Sequence, residues 1–305
     1  MQAKGSGFAS DEKESLIVLI MSTGRRNMNQ EIAALIEKTG IPVFGACRFH
    51  PEDLKIPCRA VSRVPACART VFVFGFPYLL AEYSTGRNLS RYACAPDYHN
   101  VAGQVLEQLV LDLSEKFPEE EFAAFADISP FDEVLIAARA GLGVIGRNTL
   151  LIHPEYGSWM FLGEIVTTLE LPVEDAPVKE CIGCGNCERL CPGGALNGGQ
   201  LREEYCLSFL TQKKRELSDT EQDLIKKGGL VWGCDICQTV CPMNRNVKIA
   251  PFKPLAQDLV ERVTEENAAE LCKVRAFGFR GAKVIWRNLS ILGQKGGNTT
   301  GESNR

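Results

Sequence analysis

Residues 181–192 read Cys181-Ile-Gly-Cys184-Gly-Asn-Cys187-Glu-Arg-Leu-Cys191-Pro192, and the interpretation of the whole chain starts from them. The spacing C-x2-C-x2-C-x3-C-P is that of a bacterial-type [4Fe–4S] site, in which short loops bring three thiolates to one cluster. The fourth cysteine of such a run usually binds a different cluster, so a second set of cysteines is expected. Residues 234–242 contain that second set, Cys234-Asp-Ile-Cys237-Gln-Thr-Val-Cys241-Pro242.

The second set is one cysteine short, because Val231 occupies the position three residues before Cys234. Cys206 lies between the two motifs and brings the number of thiols to eight. The crossed pattern of two-cluster ferredoxins then predicts two ligand sets. One set is Cys181, Cys184, Cys187 and Cys241, and the other is Cys191, Cys206, Cys234 and Cys237.

Two other interpretations of these cysteines are weaker. Paired C-x2-C motifs also form tetrahedral zinc sites, but zinc does not usually need two C-x3-C-P tails, and no histidine lies in this region. A disulfide framework is less consistent with a chain that shows no secretory signal. The sequence therefore favours iron–sulfur clusters.

Composition indicates an ordinary globular protein. The chain has 305 residues, is 45% hydrophobic and carries a formal net charge of −4, which disfavours wholesale coating of nucleic acid. The apolar run at residues 16–21 is too short to span a bilayer, so we expect a cytoplasmic protein with no membrane association. Four cysteines outside the motifs are predicted to be small buried hydrophobic residues. They are Cys47, Cys58, Cys67 and Cys272.

The pattern ahead of the clusters predicts an α/β (α+β) domain. Helical periodicity at residues 31–38 ends at Gly40, and strands are predicted at residues 41–46, 70–76 and 122–126, with a long helix at 101–117. The predicted division is an extension at 1–27, the α/β domain at 28–176, a ferredoxin-like two-cluster module at 177–254, a short helical, basic C-terminal segment at 255–295 and a disordered tail at 296–305. A continuous helical stretch is expected over 255–272.

Asp127 has two interpretations from its position. It follows the strand 122–126, and open α/β sheets place ligands at the carboxyl ends of strands. It also precedes Pro130 and could cap the helix that begins there. Gly141-Leu-Gly143 is interpreted as the turn that ends this helix. The large domain suggests that the electrons of the clusters are used within the chain.

Several ordered motifs resemble the epoxyqueuosine reductases, cobalamin-dependent iron–sulfur enzymes related to reductive dehalogenases. The central match is Asp127-Ile-Ser-Pro130 with residues 140–149 and 157–164. Residues 91–99, the segment after Cys206 and residues 233–244 resemble further motifs of the family. The resemblance covers roughly residues 30–292 and independently supports Cys206 as a ligand.

The resemblance implies an activity and a cofactor. The family reduces the epoxide of epoxyqueuosine at the wobble position of certain tRNAs, with cobalamin between the N-terminal domain and the two clusters that supply its electrons. An external low-potential electron donor is then required. Asp127 matches the proton donor of the family, and an apolar pocket is expected to raise the pKa of such an acid. Cys94, Asn148 and Ser158 are the candidate cobalamin contacts, and His99 is expected to be structural or to line the pocket.

The C-terminal segment leaves the substrate open. Residues 273–295 include Lys273, Arg275, Arg280, Lys283, Arg287 and Lys295 but no acidic residue, which fits either a solvated helix face or contact with tRNA phosphates. Many relatives continue into helical repeats, and only the start of such a region is expected here. The alternatives are therefore a cobalamin-dependent iron–sulfur reductase of a small organic substrate, and an electron-transfer or corrinoid-reducing protein.

Overall fold

The computed structural model describes residues 26–55 and 58–293. The predicted tail at 296–305 lies outside these residues, as does the predicted extension except for Arg26 and Asn27, which begin the first helix. Within the described ranges, no helix has the length and apolar character needed to cross a membrane.

A four-stranded antiparallel sheet organises the N-terminal domain. Its strand order is β1-β2-β6-β3, and every neighbouring pair is antiparallel, so the domain takes the α+β form of the predicted class. The bounds are β1 Val43–Arg48, β2 Thr70–Pro77, β3 Phe122–Ala126 and β6 Met160–Thr167. All eight residues of β2 are buried, which explains its nearly all-apolar sequence.

Helices cover both faces of this sheet. Helices α1 (Arg26–Lys38) and α3 (Tyr98–Lys116) share one core with the sheet, in which Phe74 and Leu106 are fully buried. Helix α4 (Glu133–Arg139) shares the opposite core, in which Ile136 is buried. Gly141 follows the C-cap residue Ala140 of α4 and has a φ of 79°, so the predicted C-terminal turn is confirmed.

The cysteine-rich region is made of short elements and turns. Its helices are α5 Asn186–Arg189, α6 Leu207–Gln212, α7 Asp219–Gly228 and α8 Ile236–Thr239, and its strands are β7 Leu196–Asn197 and β8 Gln200–Leu201. The other short elements are α2 Arg91–Cys94, β4 Val144–Ile145 and β5 Leu151–Ile152. Gly183 and Gly185 both adopt positive φ between the first cysteines, a conformation that glycine adopts without strain.

The predicted continuous helix at 255–272 is wrong. Only α9 (Lys253–Ala256) and α10 (Ala268–Leu271) form, followed by α11 (Ala282–Ile291). Between α9 and α10 the backbone bonds to distant segments instead, as when Val260 N–H donates to the carbonyl of Cys94 at 2.9 Å. Tertiary hydrogen bonds have overridden the local helical preference.

The structure differs from two further predictions, the domain boundary at 254 and the burial of all four cysteines outside the motifs. Phe252 and Leu255 pack into the core between the sheet and α3, so the chain returns to the first domain near the predicted boundary at 254. The division into domains stays a prediction. Cys47 is buried as expected, whereas Cys67 is exposed and Cys58 and Cys272 are half-buried.

Candidate active site between the sheet and the cysteine-rich region

A cavity of about 820 Å³ lies between the sheet domain and the cysteine-rich region. Its sheet-side lining includes Tyr98, His99 and Asp127, and the opposite lining includes Cys191 and Cys237. This volume is within the range of ligand and cofactor sites. Groups suited to proton transfer and thiols suited to binding clusters therefore face one another across a single space.

Asp127 is held at the end of β3 in a conformation that few residues adopt. Ala126 pairs with Gly163 of β6, and Asp127 follows with a φ of 65°, in the left-handed region. The predicted alternative role as a helix cap is wrong, because Asp132 is the N-cap of α4 and accepts a hydrogen bond from Leu135 N–H at 3.2 Å. Strained residues of this kind concentrate at functional sites.

A hydrogen-bonded chain of side chains ends at Asp127. The Tyr98 hydroxyl donates to Asp127 Oδ1 at 2.8 Å, and His99 Nε2 lies 3.3 Å from Asp127 Oδ2. The other ring nitrogen of His99, Nδ1, lies 2.6 Å from Asp97 Oδ1. Tyr98 stacks between His99 and Phe161, with ring centroids 4.0 Å and 3.9 Å away. Packing and hydrogen bonds thus fix the imidazole between two carboxylates.

These contacts place the proton on His99 rather than on Asp127. Hydrogen bonds to Asp127 and Asp97 raise the pKa of His99 to about 9. The hydrogen bond from His99 lowers the pKa of Asp127, although partial burial acts in the opposite direction and Tyr98 adds to the lowering. Burial and the neighbouring Asp127 raise the pKa of Tyr98. At neutral pH the site therefore holds an imidazolium–carboxylate pair, and the expectation of a raised pKa for Asp127 is wrong.

The structure brings the seven motif cysteines and Cys206 together as two separate groups. Cys191, Cys206, Cys234 and Cys237 line the large cavity. Cys181, Cys184, Cys187 and Cys241 line a second, small cavity together with Asn148. Within the described ranges, no three histidine, cysteine or acidic side chains form a group suited to a single metal ion.

Backbone amides point at two of these sulfurs. Arg147 N–H donates to Cys181 Sγ at 3.4 Å, and Ala195 N–H donates to Cys191 Sγ at 3.3 Å. The guanidinium of Arg147 also bonds Glu188 in the loop of the first motif. Hydrogen bonds to cluster sulfurs are among the features that set reduction potentials.

Two of the three predicted cobalamin contacts lie at the cavity. Asn148 lines both cavities, and its buried Nδ2 has no hydrogen-bond partner among the described residues. Ser158 lines the large cavity and its hydroxyl donates to Gln238 Oε1 at 3.1 Å. Cys94 is placed elsewhere: it is fully buried in an apolar cluster with Leu89 and Trp232, and its thiol donates to the carbonyl of Ser90.

Two arginines of the predicted basic face bond to other groups of the protein itself. Arg275 is buried and paired with Asp258 at 2.6 Å, and Arg287 bonds the carbonyls of Lys213 and Arg215. Neither guanidinium is therefore free to contact phosphate. The exposed or half-exposed basic residues that remain are Lys273, which pairs with the exposed Glu270 at 2.7 Å, Arg280 and Lys283, and Lys295 lies outside the described residues.

Comparison with known proteins agrees with both halves of this arrangement. Residues 180–244 match the family described as "4Fe-4S double cluster binding domain", so the cysteine-rich region binds [4Fe–4S] clusters and the zinc interpretation falls. Residues 60–128 match "Epoxyqueuosine reductase QueG, DUF1730". An epoxyqueuosine reductase of Gloeobacter violaceus is 36% identical over 224 residues, which is 70% of each chain.

The chain belongs to the epoxyqueuosine reductase family. A relative from Lactococcus garvieae is 42% identical over 170 residues, or 54% of this chain and 47% of that protein. The chain matches about half the length of this and several other curated epoxyqueuosine reductases.

Solved structures of epoxyqueuosine reductases share the fold. The enzyme of Bacillus subtilis, described with its catalytic aspartate loop swung out of the active site, superposes with a TM-score of 0.73 and 25% identity over 87% of this chain and 81% of that one. An epoxyqueuosine reductase solved with a modified tRNA-Tyr stem loop superposes with a TM-score of 0.71 and 24% identity over 87% of this chain and 80% of that one.

Sequence reasoning gave too little weight to Tyr98, His99 and Gln238. The signal available for His99 was the segment Asp97-Tyr-His99, which resembles a cobalamin-binding motif but has Ala102 where that motif has glycine. The structure shows a different role for this segment, because His99 bonds Asp97 and Asp127 simultaneously. No local sequence pattern predicts the contact between His99 and Asp127.

Proposed function

We propose that this chain catalyses the reductive deoxygenation of epoxyqueuosine to queuosine in tRNA. The observation that carries the proposal is the cavity in which Asp127 and His99 face three motif cysteines and Cys206. Removing the epoxide oxygen as water requires two electrons and two protons. One wall of the cavity carries groups suited to supply protons, and the other carries thiols of an iron–sulfur module.

The cluster ligands are proposed as two crossed sets. Cys181, Cys184, Cys187 and Cys241 would bind the cluster at the small cavity. Cys191, Cys206, Cys234 and Cys237 would bind the one beside the large cavity. The grouping of these thiols around two cavities supports this assignment, as does the family match over residues 180–244.

The lining of the large cavity offers donors that suit cobalamin. A corrin is broad and carries amide side chains at its rim, and the unpartnered Nδ2 of Asn148 offers a hydrogen bond to such an acceptor. Ser158, which also lines the cavity, would be a second contact, whereas the burial of Cys94 removes it from the proposal. When bound, cobalamin would supply a reducible cobalt for attack on the epoxide carbon or for electron transfer to it.

The residues of the chain would handle the protons. His99 holds a proton at neutral pH and lies against Asp127, so the pair can deliver that proton to the departing oxygen through the Asp127 carboxyl. Asp97 keeps the imidazole oriented through its other nitrogen. Tyr98 is held in place by stacking on Phe161, and its hydroxyl donates to Asp127 and orients the carboxylate. Asp127 is the proposed proton donor.

The mouth of the cavity has features that suit an RNA loop. Phe279 lines the cavity, is 60% exposed, and has the guanidinium of Arg280 4.6 Å from its ring centre. Unstacked bases of RNA loops bind on aromatic rings and arginine planes. Lys273 and Lys283 are exposed nearby in sequence and could meet phosphates. The relative bound to a modified tRNA stem loop supports this substrate.

An anaerobic assay tests the function. Protein reconstituted with iron, sulfide and cobalamin should convert epoxyqueuosine in tRNA to queuosine when given a low-potential one-electron donor. Asp127→Asn should lower the rate by about 100-fold or more, because general acid catalysis contributes on that scale. Asp132→Asn is the matched control, since asparagine caps helices as well as aspartate. No conversion by the fully loaded, unaltered protein would sink the proposal.

A second candidate is a cobalamin-dependent reductase of a small organic substrate. The inward engagement of Arg275 and Arg287 favours it, because it reduces the cationic surface left for tRNA. Conversion of the free epoxyqueuosine nucleoside as fast as the modified tRNA would support this candidate.

A further inference from the structure

A fully buried carboxylate lies in the sheet behind the Asp127 loop. Glu164 is on the inner strand β6, paired with Val73 of β2 on one side and with Phe125 of β3 on the other. It is 0% exposed, and neither of its carboxylate oxygens has a hydrogen-bond partner of normal geometry among the described residues. An ionised carboxylate without partners in such a place is strongly disfavoured, so Glu164 is neutral.

A second carboxylate connects Glu164 to the site. Glu133 is the first residue of α4, and its buried Oε1 has no partner in the described part of the chain. Glu164 lies on the same face of β6 as Val166, which packs in the core that also contains Ile136 of α4. Asp127 directly follows the strand paired with β6, and Glu133 begins the helix that covers this face of the sheet, so the three carboxylates make up one row.

Electrostatic coupling runs along this row. Burial raises the pKa of Glu133 to about 7, and the charge of Asp127 is the next cause. Burial also raises the pKa of Glu164 well above its ordinary value, and the charge of Glu133 is the next cause. Losing a proton from one member makes the next member hold its proton more tightly, as expected for interacting carboxyls.

Few other groups act on the three carboxylates, and some raise their pKa values while others lower them. Lys55 lowers the pKa of both glutamates, and the Ser129 hydroxyl lowers that of Glu164. Asp132 at the cap of α4 raises the pKa of Glu133. From β1, Cys47 interacts with Glu164, and from α3, Tyr98 interacts with Glu133. Within the described part of the chain, neither glutamate is bonded to a cation.

We propose that Glu133 and Glu164 are a proton store that returns a proton to Asp127 during each reduction. This inference rests on the proposed function. Both C–O bonds of the epoxide break, the carbon–carbon double bond forms, and two electrons arrive from the external donor by way of the clusters. The oxygen takes two protons and leaves as water. The His99–Asp127 pair supplies one proton, and Glu133, backed by Glu164, supplies the other.

The first test needs no substrate. Infrared spectra of the reconstituted protein should contain the carbonyl band of a neutral carboxylic acid at pH 7, and part of that band should titrate near neutrality. Glu133→Gln should remove the titrating part, and Glu164→Gln should remove the part that persists at higher pH. Glu121→Gln, an exposed carboxylate just before β3, should change neither. Absence of a neutral carboxyl band in the unaltered protein would overturn the proposal.

The second test is the pH dependence of turnover. The rate should show one decline near pH 7, from Glu133, and another near pH 9, from His99. Glu133→Gln should lower the plateau by about tenfold or more and abolish only the decline near pH 7. Glu133→Asp should restore a decline at a shifted pH, which a purely structural role would not produce.

The outcomes separate the two proposals. If the unaltered protein converts the tRNA and Glu133→Gln has the rate and pH profile of Glu121→Gln, the proton store is refuted and the proposed function stands. If no tRNA is converted but the infrared titration shifts in Asp127→Asn, the substrate is wrong and the proton store stands. If Glu133→Gln does not fold, the infrared titration of the unaltered protein decides.

Discussion

The two walls of the cavity are built in different ways. On the cluster wall, most of the proposed ligands come from two short cysteine motifs, and glycines at positive φ shape the loop of the first. On the acid wall, Asp127, His99 and Glu164 come from three separate elements, and packing of the sheet against α3 and α4 brings them together. The cluster wall is therefore local in sequence and the acid wall is tertiary. Damage to the first should remove a cofactor, whereas damage to the second should change rates and pH dependence.

The largest effect is expected from Cys206→Ala, which tests the one proposed ligand outside the two motifs. Loss of this thiol should leave one cluster incomplete, so iron should fall from about eight to about four per chain and turnover should cease. Iron and sulfide analysis after anaerobic reconstitution, with electron paramagnetic resonance of the reduced protein, measures this. Cys67→Ala is the control, because Cys67 is exposed and lies outside both cavities. Full iron content in Cys206→Ala would refute the ligand set.

The next effect concerns the acid wall. His99→Gln should slow turnover by about 100-fold and remove the decline in rate near pH 9, because the group that holds the proton is gone. Iron and cobalamin content should stay at the level of the unaltered protein. His50→Gln is the matched control, since His50 bonds Asp175 at 2.8 Å away from the cavity. A variant that keeps the decline near pH 9 would assign that titration to another group.

The same contrast explains how much the sequence could predict. The cysteine spacing specifies a cluster-binding loop by itself, so the two sets and Cys206 could be proposed without a fold. The position of Asp127 after a predicted strand left a ligand-site role and a helix-cap role open, and resemblance to a family favoured the first. The contact of Tyr98 with Asp127 joins residues 29 positions apart, and no periodicity encodes it. The burial of Glu164 could not be predicted either, because it follows from a strand order that the sequence does not specify.

A third prediction uses stability to examine the acid wall. In the folded protein Glu133 keeps its proton up to about pH 7, whereas an ordinary glutamate titrates near 4.5. As pH rises from 4.5 to 7, unfolded Glu133 releases a proton that folded Glu133 retains, so this residue makes stability fall by about 3 kcal/mol over the interval, in addition to the fall caused by Glu164. Glu133→Gln should remove that loss and Glu121→Gln should not. Urea unfolding at several pH values measures it, and equal slopes in all three proteins would place the pKa of Glu133 at its ordinary value.

The smallest effect is expected where the two walls are bonded to each other. The hydroxyl of Ser158, just before β6, donates to Gln238 Oε1 at 3.1 Å and accepts from Asn244 Nδ2 at 2.8 Å. Ser158→Ala leaves Gln238 bonded to the Tyr78 hydroxyl and leaves Asn244 bonded to the carbonyl of Gln238, so neither partner loses all of its bonds.

The cost of Ser158→Ala should therefore be about 1 kcal/mol in the free energy of unfolding, with both clusters retained. Cobalamin affinity should fall only several-fold if Ser158 meets the rim of the corrin, which titration by visible absorbance measures. Ser62→Ala, which removes an exposed hydroxyl bonded within its own turn, is the control. If Ser158→Ala lost a cluster, the walls would not be independent: the bonds of Ser158 to Gln238 and Asn244 would then be holding Cys237 and Cys241 in place, and the cluster wall would depend on the sheet after all.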